Sequence, residues 1–137
     1  MDSELRRAII LDNYSNPFHK ETKTKGYETA NSNNASCIDN INIFVKINNN
    51  IIEDAYFDGE ACAISTASTS IMLKELIGKT IEEANNFITN FENMVNEKEY
   101  DESIMNEALA FNEIYKQESR KTCATLPYKA ILKIIKK

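Results

Sequence analysis

The sequence predicts an α+β fold, a small antiparallel three-stranded sheet packed against helices. Three observations carry this expectation. The stretch INIFVKI alternates, with Ile41, Ile43, Val45 and Ile47 on one face and Asn42, Phe44 and Lys46 on the other, the period of a half-buried strand. The asparagines at 48–50 then supply a turn and IIEDAYFDG returns, so two strands pair directly as a hairpin. Beyond Gly59 the apolar spacing becomes helical, beginning with Ile64, Ala67, Ile71 and Leu76.

Taken in order, Ser3 is placed to cap a first helix, in which LRRAIILDNY sets Leu5, Ile9 and Tyr14 near one face. Pro17 closes it, because the residue before a proline leaves helical space. Residues 16–36 are polar, with a lone Tyr27 and the patch NSNNAS. They read as a loop with a short edge strand near 26–30.

After the hairpin and its following helix, Gly78 is positioned for a left-handed C-cap. TIEE at 80–83 is a capping box, in which Thr80 and Glu83 satisfy each other's free backbone donors. The helix it opens carries Ala84, Phe87, Ile88, Phe91 and Val95 as an apolar stripe. A short helix around 104–110 and a last one around 122–135 are expected. Pro127 is awkward in the last, since its missing N–H would otherwise bond to the Cys123 carbonyl. That helix either starts late or bends near the cysteine.

The 137 residues suit one domain, spanning 1–137, that buries roughly two-thirds of its unfolded surface without a disulfide or metal. A net charge of -5 argues against a nucleic-acid partner reached by bulk electrostatics. No apolar run approaches the ~20 residues of a membrane span, so no membrane partner is expected. The start MDSELRRAII is amphipathic and carries acids, unlike a signal or transit peptide, and a cytoplasmic location is expected.

Cys37, Cys62 and Cys123 are odd in number and far apart, which suits a reducing compartment and free or metal-bound thiols. Spacing alone leaves two readings open. No C-x-x-C pair supports a metal site, and free cysteine often packs as a small hydrophobe. The context GEACAISTASTS weighs toward a site. Its glycine allows close backbone approach and its small residues leave room around the sulfur for an ion or a partner's side chain. Cys37 precedes the long strand, Cys62 begins a helix, and Cys123 is expected in the first turn of the last helix. All three are element ends, able to converge at one edge of the sheet, and a helix N-terminus lowers a thiol pKa.

Other features take plainer readings. His19 reads as a surface residue, NEKEYDES at 96–103 as a solvated connection, and Met72 and Leu73 as core. Ser65, Ser68 and Ser70 have no histidine nearby for a triad and read as packing and hydrogen-bonding residues.

ASCIDN, GEACAISTASTS and SRKTCATLPYKAI resemble the three cysteine motifs of the SufU branch of the IscU/NifU-N-terminal family. The resemblance runs over nearly the whole chain. Gly59, Ala61, Cys62, Ile64, Ser65, Ala67 and Ser68 fit the middle motif. In the first motif, Cys-Gly-Asp in the family, Cys37 and Asp39 match while Ile38 replaces the glycine. IscU-type scaffolds carry a histidine before the third cysteine and an upstream Leu-Pro-Pro-Val-Lys motif. Here Thr122 precedes Cys123 and the upstream stretch is YKQES. Arg120 instead stands three residues before the cysteine, and the 60 residues between Cys62 and Cys123 leave room for the SufU helical insertion, roughly 96–115.

The resemblance implies one zinc ion bound by Cys37, Asp39, Cys62 and Cys123, a ligand set that suits tetrahedral zinc. Asp39 is the hardest and most easily displaced of the four. Arg120, turned inward, would offset part of the surplus negative charge. It further implies that Cys37 is the catalytic thiol. By the same resemblance Cys37 would accept a persulfide from a SufS-type cysteine desulfurase, whose histidine would take over its zinc position, and the sulfur would pass toward a downstream iron–sulfur scaffold. The alternative is an IscU-type scaffold that builds a labile iron–sulfur cluster on the same ligands. A structural zinc module acting as an adaptor is a third.

Overall fold

Asn49 and Asn50 both take positive φ, 53° and 63°, the left-handed pair that a two-residue hairpin turn requires. This turn joins β2 (Asn40–Asn48) to β3 (Ile51–Glu60) in the expected antiparallel hairpin, with Ile43 opposite Phe57 and Val45 opposite Ala55. The structure, a computed structural model, describes residues 1–34 and 38–135. A third strand, β1 (Glu28–Asn33), pairs antiparallel with the other side of β2, giving the sheet order β1-β2-β3.

β1 lies later than expected, running into the asparagine-rich patch instead of ending at 30. The cause is side-chain pairing on the outer face. Asn31 Nδ2 donates to Asn40 Oδ1 at 2.7 Å and to Asn42 Oδ1 at 3.0 Å, so asparagines that read as loop become cross-strand partners. Phe44 sits on the polar face of β2 as the alternation requires, yet it is buried between its strand neighbours Thr29 and Tyr56.

His19 also departs from its expected place on the surface. Its ring stacks between Phe18 and Tyr56, and Nδ1 lies 2.9 Å from the Ala55 carbonyl oxygen. The backbone around it docks on the β3 edge, with Phe57 N–H donating to His19 O and Glu21 N–H donating to Phe57 O. That segment covers an edge that would otherwise present unpaired donors and acceptors.

The inner face of the sheet carries α2 (Ala63–Leu76) and α4 (Glu118–Ile135), which pack on each other. α1 (Ser3–Ser15) lies against α2, and α3 (Ile81–Val95) against α4. α2 is buried nearly all round, from Ser65 to Leu73, as befits a helix between a sheet and two neighbours. The capping box at Thr80 and Glu83 forms as expected, Gly78 adopts φ +92°, and the α3 stripe is buried throughout.

Three expectations are corrected. Asp2, not Ser3, caps α1, accepting from Leu5 N–H at 2.8 Å. Leu5 and Tyr14 are about half exposed, and the α1 face that meets α2 carries Ile9, Ile10 and the fully buried Asn13. In place of one short helix around 104–110 there are three 3₁₀ turns, Glu102–Ile104, Asn106–Phe111 and Ile114–Lys116. Among the described residues no helix is long and apolar enough to cross a membrane.

Candidate metal centre

The hairpin register brings two motifs together. Asn40 pairs with Glu60 and Ile41 with Gly59, so the residues just beyond, Asp39 and Cys62, meet where the strands end. Cys62 is the N-cap of α2, with extended backbone (φ -68°, ψ 170°) and its sulfur accepting from Ser65 N–H at 3.5 Å. Its own N–H donates to Asp39 Oδ1 at 2.7 Å. The Ser65 hydroxyl donates to the second carboxylate oxygen, Oδ2, also at 2.7 Å.

Cys123 arrives from α4. The helix begins at Glu118, four residues earlier than expected, and runs through Pro127 without stopping. Cys123 therefore occupies its second turn. The missing donor at Pro127 is compensated from α2, because the Ser65 hydroxyl reaches the Cys123 carbonyl oxygen at 3.0 Å. Ser68 donates likewise to Ala124 O at 2.5 Å, which seats α4 on α2 at this level.

One carboxylate oxygen of Asp39 and the sulfurs of Cys62 and Cys123 all lie within 4.8 Å of one another. Cys37, the fourth expected ligand, lies outside the described residues. The donor set suits zinc, a borderline-soft ion bound by thiolates at ~2.3 Å and carboxylate oxygen at ~2.0–2.2 Å. Asp39 is 1% exposed and Cys123 8%, so a charge on either would be poorly solvated without a counter-ion.

Electrostatics follow from this burial. Burial acts to raise the Asp39 pKa. Hydrogen bonds from Cys62 N–H, Ser65 O–H and the two thiols outweigh it and hold the carboxyl below its ordinary value. For Cys123, burial first, then its hydrogen bonds to Asp39 and Cys62, push the thiol up to about 12. This reverses the expectation of a helix-terminus effect, which fades beyond the first turn. Burial thus favours the neutral thiol at Cys123, and a bound cation would supply the charge that favours the thiolate.

The two cysteines open onto a cleft of about 670 Å³ bounded by α1, α2, α4 and the last two 3₁₀ turns. Arg6, Arg7, Lys116 and Arg120 line it, with Glu113 among them. Arg6 pairs with Glu113 at 3.4 Å and Lys116 does so at 2.9 Å. Arg120 is exposed along this wall and makes no ion pair among those found in the described residues. A basic wall beside the thiols in a chain of net charge -5 was not anticipated, since Arg6 and Arg7 come from the far end of the sequence.

The model of the NifU-like N-terminal domain matches residues 6–124. The chain belongs to the NifU-like N-terminal domain family. It is 39% identical to a Bacillus subtilis protein named zinc-dependent sulfurtransferase SufU, over 97% of this chain and 90% of that one. It is 35% identical to a Streptococcus pyogenes protein named iron–sulfur cluster assembly scaffold protein IscU, over 98% and 85%. A crystal structure from Fervidobacterium islandicum, described as a candidate iron–sulfur cluster assembly scaffold for the SUF system, superposes with a TM-score of 0.90 at 28% identity. That match covers 98% of this chain and 99% of the other. In this chain the β2–β3 register brings Asp39 of the first motif to the middle motif, and the α2–α4 contact brings the last motif to both.

Proposed function

We propose that this chain is a zinc-dependent sulfur acceptor that serves iron–sulfur cluster assembly by taking persulfide sulfur from a SufS-type cysteine desulfurase. The observation that carries this is the convergence of Asp39, Cys62 and Cys123 from sequence positions far apart, beside a cleft open to a partner. In this reading Cys37 completes the zinc ligands and is the thiol that accepts sulfur. Bound zinc supplies the positive charge that keeps the thiols deprotonated.

The chain's own residues do the rest. Asp39 is held at both oxygens, Cys62 is fixed as a helix cap and Cys123 is buried within α4, so these three form a rigid seat. Arg120 stands exposed on the cleft wall, from which it would have to turn inward to offset the charge of the ligand set. The stretch of roughly 96–115 is the insertion of this branch, and it contributes Ala110, Glu113 and Ile114 to the cleft. Free thiols at Cys62 and Cys123 suit a cytoplasmic setting, with an iron–sulfur scaffold as the downstream acceptor.

The 35% identity to a protein named as a scaffold favours a second reading, assembly of a labile cluster on the same ligands. Metal analysis of anaerobically purified protein, with its visible spectrum, separates the two. Stoichiometric zinc without colour supports sulfur transfer. A chromophore that survives anaerobic purification overturns it in favour of the scaffold.

A further inference from the structure

Ser65 touches all three described residues of the candidate centre with one hydroxyl group. Its oxygen lies 2.7 Å from Asp39 Oδ2, 3.0 Å from the Cys123 carbonyl oxygen and 3.7 Å from Cys62 Sγ. It is fully buried, so no solvent competes for these contacts. A serine hydroxyl has one proton to give and two lone pairs to receive. The Cys62 thiol can donate into it, while its proton faces two acceptors, the carboxylate of Asp39 and the Cys123 carbonyl.

The second acceptor exists because of Pro127. In an uninterrupted helix residue 127 would donate its N–H to Cys123 O, and proline has none. The carbonyl next to one cysteine is thereby left to the hydroxyl of the residue three positions after the other. Three segments remote in sequence, the end of the β1–β2 connection, the α2 N-terminus and α4, are joined through a single atom.

We propose that Ser65 is the positioning residue of the metal centre, fixing the orientation of the Asp39 carboxylate through Oδ2 and keying the spacing of Cys62 and Cys123, with Pro127 freeing the carbonyl that anchors it. This rests on the zinc reading given above. Groups that hydrogen-bond to a metal's ligands govern affinity, and losing one costs roughly 10–100-fold.

A purely structural serine would matter only through the orphaned carbonyl, and a second substitution separates the two roles. Pro127→Ala returns an N–H to Cys123 O. The experiment measures zinc Kd by competition with a chromophoric chelator, and Tm of the metal-free form, for wild type, Ser65→Ala, Pro127→Ala and Ser65→Ala/Pro127→Ala. Ser65→Ala is expected to raise Kd roughly 10–100-fold and lower the metal-free Tm. The double variant is expected to recover the Tm of Pro127→Ala while its Kd stays raised.

If zinc affinity recovers together with Tm in the double variant, Ser65 serves the helix alone and the inference fails. It fails equally if Ser65→Ala binds zinc as tightly as wild type. Wild-type protein that takes up no zinc overturns the zinc centre itself, a result distinct from both.

Discussion

Gly59 passes so close to Asn40 that a Cβ on the glycine would lie 2.1 Å from the Asn40 carbonyl oxygen, which is backbone and has nowhere to go. Gly59 also holds φ +114°, in the region that L side chains rarely adopt. This contact sits one residue pair inside the strand ends that deliver Asp39 and Cys62. Gly59→Ala is therefore expected to destabilise the protein by at least ~2 kcal/mol. The same change should loosen zinc binding, because β2 and β3 must part where the ligands are hung. Urea unfolding with a chelator titration checks both, and a variant within ~0.5 kcal/mol of wild type would contradict the contact.

Asp39→Ala removes the acceptor for Cys62 N–H and one of the two acceptors open to the Ser65 hydroxyl. Leaving buried donors unpaired costs about 1–3 kcal/mol. The metal-free protein is therefore expected to lose stability even before zinc is considered. Zinc affinity is expected to fall as well, while some binding persists through the remaining thiols. Unchanged affinity and unchanged sulfur transfer would remove Asp39 from the ligand set.

Cys62→Ser isolates the metal's contribution, because serine is itself a good N-cap and keeps α2 started. The metal-free proteins should therefore melt at similar temperatures. Zinc at ~100 times its Kd is expected to stabilise wild type by about 2.7 kcal/mol and the variant by much less. Equal zinc-induced shifts in Tm would show that Cys62 does not bind the ion.

Tyr128 lies fully buried in the aromatic core, stacked on Phe91 with ring centroids 4.2 Å apart, and its hydroxyl finds no hydrogen-bond partner among the described residues. Tyr128→Phe keeps the stacking and discards the unpaired group. It is expected to leave stability unchanged or raise it by ~1 kcal/mol. A loss of that size in urea unfolding would reveal a partner for the hydroxyl.

Much of this architecture was legible because the deciding interactions are local. The alternation of β2, the two asparagines of its turn and the Thr80–Glu83 box each act within a few residues, so the sequence displays them directly. The family motifs likewise named the ligand candidates. What stayed hidden depends on partners distant in sequence. Asn13, which no sequence pattern singles out, is buried on α1 where Ser70 on α2 donates to its Oδ1 at 2.7 Å. Pro127 reads as a helix breaker. It is tolerated because hydroxyls of α2 serve the carbonyls beside it. Cys123 reads as a helix-start thiol, and only the earlier start of α4 shows it to be buried with a raised pKa.

The proposed choice of Cys37 as acceptor is supported by what the other two cysteines are doing. Cys62 caps α2 and its N–H is tied to Asp39, and Cys123 is buried in the second turn of α4 with its carbonyl held by Ser65. A thiol that carries sulfur away must leave its ligand position, and moving either of these would dismantle a helix start or the α2–α4 contact. Cys37 belongs to the connection between β1 and β2 and to neither helix. In the proposed function, transfer would move the outer sulfur of the desulfurase persulfide to the Cys37 thiolate, with the desulfurase cysteine departing as a thiolate, so no external oxidant is needed. Cys37→Ser is expected to abolish both sulfur loading and stimulation of the desulfurase, while the helices and the Asp39–Cys62–Cys123 cluster stay folded. Mass spectrometry of protein incubated with desulfurase and cysteine locates the added sulfur directly. Sulfur mapped to Cys123, or full-rate loading of Cys37→Ser, would overturn the assignment and leave the zinc ligands to be judged on metal binding alone.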